Sequence, residues 1–119
     1  MSEAIRTPLP SSAVPVAPHV PSSNTAAVVT LAAETSLCHV VTGVHFSYDD
    51  DPTNGSLVIT HGGGSTVKYS LIITSKGAGP LSFNPPLKFP VGDAVVVTLA
   101  AGGSGVSGRL NVLAHTESP

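Results

Sequence analysis

Thr66-Val67-Lys68-Tyr69-Ser70-Leu71-Ile72-Ile73-Thr74 is the stretch whose reading decides the fold class. Val67, Tyr69, Leu71 and Ile73 share one parity, while Thr66, Lys68 and Ser70 take the other. A period of two is what a strand with one buried face requires, because successive side chains leave opposite faces of the pleat. Just before this stretch stands Gly62-Gly63-Gly64-Ser65, read as a tight turn, and before that residues 56–61, another β-branched run.

Working outward, short β-branched runs recur at intervals of roughly 8 to 15 residues, each bounded by Gly, Pro, Asn or Asp. They occupy residues 26–33, 37–48, 56–61, 66–74, 81–83, 93–100 and 105–115. In the second run Cys38, Val40, Val44, Phe46 and Tyr48 share a parity and are expected to face the core; His39, Gly43, His45 and Ser47 are expected to face away. Asp49-Asp50-Asp51-Pro52-Thr53-Asn54-Gly55 is dense in turn formers and is read as the hairpin that joins the second run to residues 56–61. Residues 77–80 bend into 81–83, and Pro85, Pro86 and Pro90 restrict the next stretch to a short edge strand or an irregular crossover between sheets. No run of about ten residues keeps helical periodicity while avoiding Pro and Gly, and no internal repeat is evident. The expectation is all-β: an antiparallel, jelly-roll-like β-sandwich of about seven or eight strands.

That domain is expected over residues 25–115, between an extended arm at 1–24 and a polar tail at 116–119. Pro8, Pro10, Pro15, Pro18 and Pro21 forbid a helix in the arm and interrupt any ladder. Leu9, Val14, Val16 and Val20 give it apolar points that could lie along a partner, and they are the candidate partner-binding residues. The arm reads either as a solvated tail or as a segment that orders on assembly.

Composition narrows the function. Charged residues make up 10% of the chain, against about 25% in an ordinary soluble domain. A surface so short of charge repels other proteins poorly, and assembly is the favoured reading. Five basic residues, Arg6, Lys68, Lys76, Lys88 and Arg109, are scattered against seven acidic ones, so nucleic-acid binding lacks an electrostatic basis. Trp is absent, and Phe46, Tyr48, Tyr69, Phe83 and Phe89 are too few for a stacking platform. No signal h-region or membrane-spanning run stands in the sequence, which points to synthesis in the cytosol and no membrane partner.

No constellation announces chemistry. His61-Gly62-Gly63-Gly64 has the letters of an oxyanion-hole motif of some esterases, but no G-x-S-x-G accompanies it, and it is read as a turn of small residues. His39 and His45, six residues apart on one strand, are separated by roughly 20 Å and cannot share an ion. His45 and His61 would meet across the hairpin, yet two ligands are not a site, and these histidines are read as surface or interface residues. Asp49, Asp50 and Asp51 lack the alternation of a calcium loop and are read as a solvated turn. Cys38, alone in the chain, sits at an apolar strand position and is read as a buried thiol. Catalytic, cofactor-binding and metal-ligating residues are therefore expected to be none, and the chain is expected not to be an enzyme and to need no cofactor.

A resemblance adds to this. Residues 44–48 (VHFSY), 52–59 (PTNGSLVI), 81–83 (LSF) with Pro86-Leu87, 95–103 (VVVTLAAGG) and 108–112 (GRLNV) resemble the small β-sandwich or jelly-roll virion proteins of tailed bacteriophages. Asn54 stands where that pattern has Gly. The resemblance, over about residues 25–115, implies a virion structural protein of the capsid cement (decoration) type. Such a protein would be made in the host cytoplasm and bind the outside of the phage head as a homo-oligomer, expected to be a trimer, with the major capsid protein or another virion protein as partner. The alternatives it leaves are a minor tail, neck or fibre-associated β-sandwich protein and a receptor- or carbohydrate-binding module.

Overall fold

The computed structural model describes the backbone of residues 15–19 and the whole of residues 22–119. Within them lie eight strands: β1 (Pro15–His19), β2 (Ala27–Leu31), β3 (Cys38–Tyr48), β4 (Gly55–His61), β5 (Thr66–Ile73), β6 (Gly77–Lys88), β7 (Val95–Leu99) and β8 (Gly108–Glu117). They form two four-stranded antiparallel sheets, ordered β1-β8-β3-β6 and β2-β7-β4-β5. The expected antiparallel sandwich is therefore present. Its core is the space between the sheets, where Val41, Val44, Leu110, Val112 and Ala114 meet Val29, Leu31, Leu57, Ile59, Val97 and Leu99.

β3 is the strand on which the first sheet depends, and its parity differs from the expected one. Val41 pairs with Ala114 and Val44 with Val112, so three steps along β3 match two along β8, and a β-bulge falls at Thr42. Beyond the bulge Val44, Phe46 and Tyr48 face the core as expected; before it Val41 and His39 do, and Cys38 and Val40 turn to the outer side. The Thr42 hydroxyl donates to the Leu113 carbonyl across the irregularity.

The turn at 49–54 is not a hairpin. β3 is flanked by β8 and β6, so it has no free edge for β4, and the chain crosses there to the other sheet. Asn54 does take a positive φ of 60°. Asp49 and Asp51 accept from the backbone amides of Ser107 and Lys76, which fastens the crossing to two further loops. The sequential hairpin is β4 to β5, where Gly62, Gly63 and Gly64 have φ of 65°, 74° and 87° and the Ser65 hydroxyl donates to the Gly62 carbonyl.

β6 is an edge strand, as its prolines require, but a long one. Partner registers jump from Ser82 to Leu87 opposite the bulge of β3, so residues 83–86, with Pro85 and Pro86, make an excursion from the ladder. Proline is tolerated because an edge strand needs donors on one side only. The same rule corrects the expected arm and tail: Pro15–His19, despite two prolines, pairs with β8 at the opposite edge, and β8 runs on to Glu117. Gly79 lies against the ring of its cross-strand neighbour Phe46, which any Cβ there would strike.

Two ring side chains of β3 tie the sheets together. The His39 Nε2–H donates to the Ala32 carbonyl at 2.7 Å, just past the end of β2. Tyr48, 2% exposed, donates its hydroxyl to the Ala100 carbonyl at 2.6 Å, just past the end of β7. Burial raises the Tyr48 pKa above its usual 10, opposed by a hydrogen bond from the Ser56 backbone.

Deleting Thr42 should return Val41 and His39 to the outside and lower stability by about 3 kcal/mol or more, whereas Thr42→Val, which keeps the bulge, should cost about 1 kcal/mol in urea unfolding. Tyr48→Phe, which orphans the Ala100 carbonyl, should cost about 1–2 kcal/mol. A raised phenol pKa stabilises below the unfolded value and is lost as pH climbs through the folded one, so the wild type's margin over Tyr48→Phe should shrink above about pH 10.

Candidate functional site

The two sheets present very different outer faces. On β2, β7 and β4 one triplet recurs, Val28-Val29-Thr30, Val96-Val97-Thr98 and Val58-Ile59-Thr60. The middle residues Val29, Val97 and Ile59 enter the core, so each strand shows one Val and one Thr to the outside. The strands alternate in direction, and the register sets Val28 and Val58 beside Thr98, and Thr30 and Thr60 beside Val96. The result is a checkerboard of β-branched methyls and hydroxyls.

β5 extends it. Ser70 stands opposite Val58, Ile72 opposite Ser56 and Val67 opposite Thr60. Ile59 pairs with Tyr69 and Thr60 with Val67, so Lys68 is the extra residue of a second bulge. This turns Val67, expected in the core, outward to 59% exposure. It also carries the Lys68 amine away from the face to 5.7 Å from the Phe89 ring. Ile72 is 77% exposed. Among the described residues of these four strands, none of the outward-facing side chains is charged.

The other outer face holds the charges. Lys88 and His115 flank Val40 in register, and Glu117 stands opposite Cys38. His115 Nε2 lies 2.8 Å and Lys88 Nζ 3.5 Å from the Glu117 carboxylate. These side chains are the cross-strand neighbours of Cys38 and Val40, both of which are buried although they lie on the outer side of the sheet. The His115 hydrogen bond, followed by Lys88, holds the Glu117 carboxyl below its usual pKa.

The histidines are dispersed by the crossing at 49–54. His45 lies exposed on β3 and His61 ends β4 in the opposite sheet, so they do not meet. His39, read as a surface or interface residue, is buried on the Ala32 carbonyl. His61 Nδ1 is 3.0 Å from Asp93, with its ring edge-on to Phe89 at 5.4 Å. Among the described residues no group of three or more His, Cys, Asp or Glu is placed to hold a metal ion. His61-Gly62-Gly63-Gly64 forms the β4–β5 hairpin. Of the candidate partner-binding residues, Leu9, Val14 and Val20 lie outside the described residues, and Val16 sits on β1 opposite Val112.

No protein-family model matches the chain, and no curated protein does. Among solved structures it is similar to the carbohydrate-binding module CBM36 in complex with calcium and xylotriose, at a TM-score of 0.43 and 11% identity, covering 77% of this chain and 72% of that one.

A depressed carboxylate pKa adds stability that is present above the ordinary carboxylate range and lost as pH falls through the folded value. Carbon-detected NMR should therefore place Glu117 below about 4.3, and His115→Ala should move it back up.

Proposed function

We propose that the chain is a virion structural protein of the capsid cement type, which acts by assembling on the outside of a phage head and not by catalysis. The observation that carries this reading is the uncharged sheet face, where Val67 and Ile72 stand 59% and 77% exposed in a chain already poor in charge. Water gains by the covering of such a face, and no desolvated charge opposes it. The resemblance of residues 44–48, 52–59, 81–83 with Pro86-Leu87, 95–103 and 108–112 to β-sandwich virion proteins supplies the particle. Residues 1–14 lead into β1 at the edge of the charged sheet, and this N-terminal segment, with Leu9 and Val14, would reach the shell protein. Many weak copies then add to a strong joint effect.

The test is copy number. Purified particles should carry the protein in hundreds of copies, on the order of one per few shell subunits, and light scattering of the free protein should give a homo-oligomer, in the simplest case a trimer. A handful of copies per particle would move the protein to the tail or neck, and glycan binding by a monomer would replace the reading altogether. Removing residues 1–14 should leave the sandwich folded and weaken particle binding about tenfold or more. Cutting at Ser23 instead would take β1 with it and strip the edge of β8.

A further inference from the structure

The checkerboard face is specific enough to name its occupant. Any docked partner must match a surface made of two alternating groups, a Val methyl pair and a Thr hydroxyl, arranged three strands wide. One row reads Val28, Thr98, Val58 and the next Thr30, Val96, Thr60. A two-fold axis running along β7, between two such faces, reverses the order of the strands and leaves this pattern unchanged. Under that operation Val96 lies over Val96 and Thr98 over Thr98, with the Val and Thr positions of β2 over those of β4. Methyls then bury methyls and hydroxyls can bond hydroxyls.

Charge permits the same arrangement. An isologous contact brings every group against its own copy or that of its neighbour, so a patch with net charge repels itself. This face carries none, while the opposite sheet exposes Arg109, Lys88 and Glu117. We propose that the outer face of β2-β7-β4 is a two-fold docking surface for the same face of a second copy of this chain, with β5 flanking the contact. The contact goes beyond the virion reading and does not depend on it.

Its strength follows from its size. The three strands that the axis superposes, spaced about 4.8 Å apart with two outward residues along β2 and β7 and three along β4, give roughly 200 Å² per copy, about a quarter of the roughly 800 Å² per partner of a stable complex. The free protein should pair at concentrations on the order of 1 mM and remain unpaired near 1 µM, becoming paired where copies are crowded on one surface. A two-fold contact doubles whatever the rest of the chain builds, so it gives masses of two chains, or of six where a trimer exists.

The test is a dilution series of the full chain by NMR with sedimentation, from about 10 µM to 1 mM. Concentration-dependent shifts confined to Thr30, Val58, Thr60, Val96, Thr98 and their neighbours, with a doubling of mass, are expected. Val96→Lys and Val96→Glu should each abolish the effect, and an equimolar mixture of the two should restore it, since position 96 meets itself. Thr30→Lys, at the exposed margin, serves should the central variants fail to fold, and it should weaken pairing several-fold. Absence of shifts up to 1 mM, shifts elsewhere, pairing that survives Val96→Lys in a folded protein, or shifts on this face only when shell protein is added would each overturn the proposal. A two-fold contact without a place in any particle would leave it standing while removing the virion reading.

Discussion

The bulge at Thr42 is the constraint on which the rest of the sandwich depends. His39 and Tyr48 are nine residues apart, an odd separation that puts them on opposite faces of a regular strand. Both must face inward, because each donates to a carbonyl of the other sheet, Ala32 and Ala100 respectively. One extra residue between them reconciles the two demands. The same residue delivers Val41 to the core opposite Ala114 and lets β6 leave its ladder at residues 83–86, where the prolines are accommodated. The bulge also sets Cys38 and Val40 on the outer side, in register with the linked Lys88, His115 and Glu117, the charged cluster of that sheet.

A bulge does comparable work in the second sheet, with the opposite outcome for charge. At Lys68 the extra residue withdraws the one cation that regular alternation would have left near the margin of the outer face and pushes Val67 out in its place. Exposing a large aliphatic side chain is unfavourable in water for an isolated chain, whereas the Lys68 amine gains a cation–π contact with the Phe89 ring. The two sheets are thus sorted, one carrying charges on its outer face and one kept clear of them.

Where the sequence was legible, the reason was local. The glycines at 62–64 demand positive φ, the β-branched runs demand strands, and the prolines at 85 and 86 demand an edge; each of these holds in the structure. What escaped was decided between strands. A bulge leaves no mark in a single strand's alternation, so Val40 read as core and Val67 did too, although neither faces it. The crossing at 49–54 carries the letters of a hairpin because a positive φ at Asn54 suits both; only the occupancy of both edges of β3, by strands from the far end of the chain, rules the hairpin out. The Val-x-Thr triplets were visible as letters, but three residues repeated at unequal intervals gain meaning only when β2, β7 and β4 lie side by side.

The strand order gives that placement its logic. β7 is central to the checkerboard, with β2 on one side and β4 on the other, and these come from the start, the end and the middle of the domain. A face assembled from such distant segments exists only where all three strands are paired, so no single local stretch of the chain displays its uncharged β-branched surface as a continuous template. The individual strands are short, five residues in β2 and β7, which limits edge pairing. An exposed uncharged sheet invites unwanted pairing, and composing it of short strands from distant parts of the chain limits that hazard without adding charge to the face.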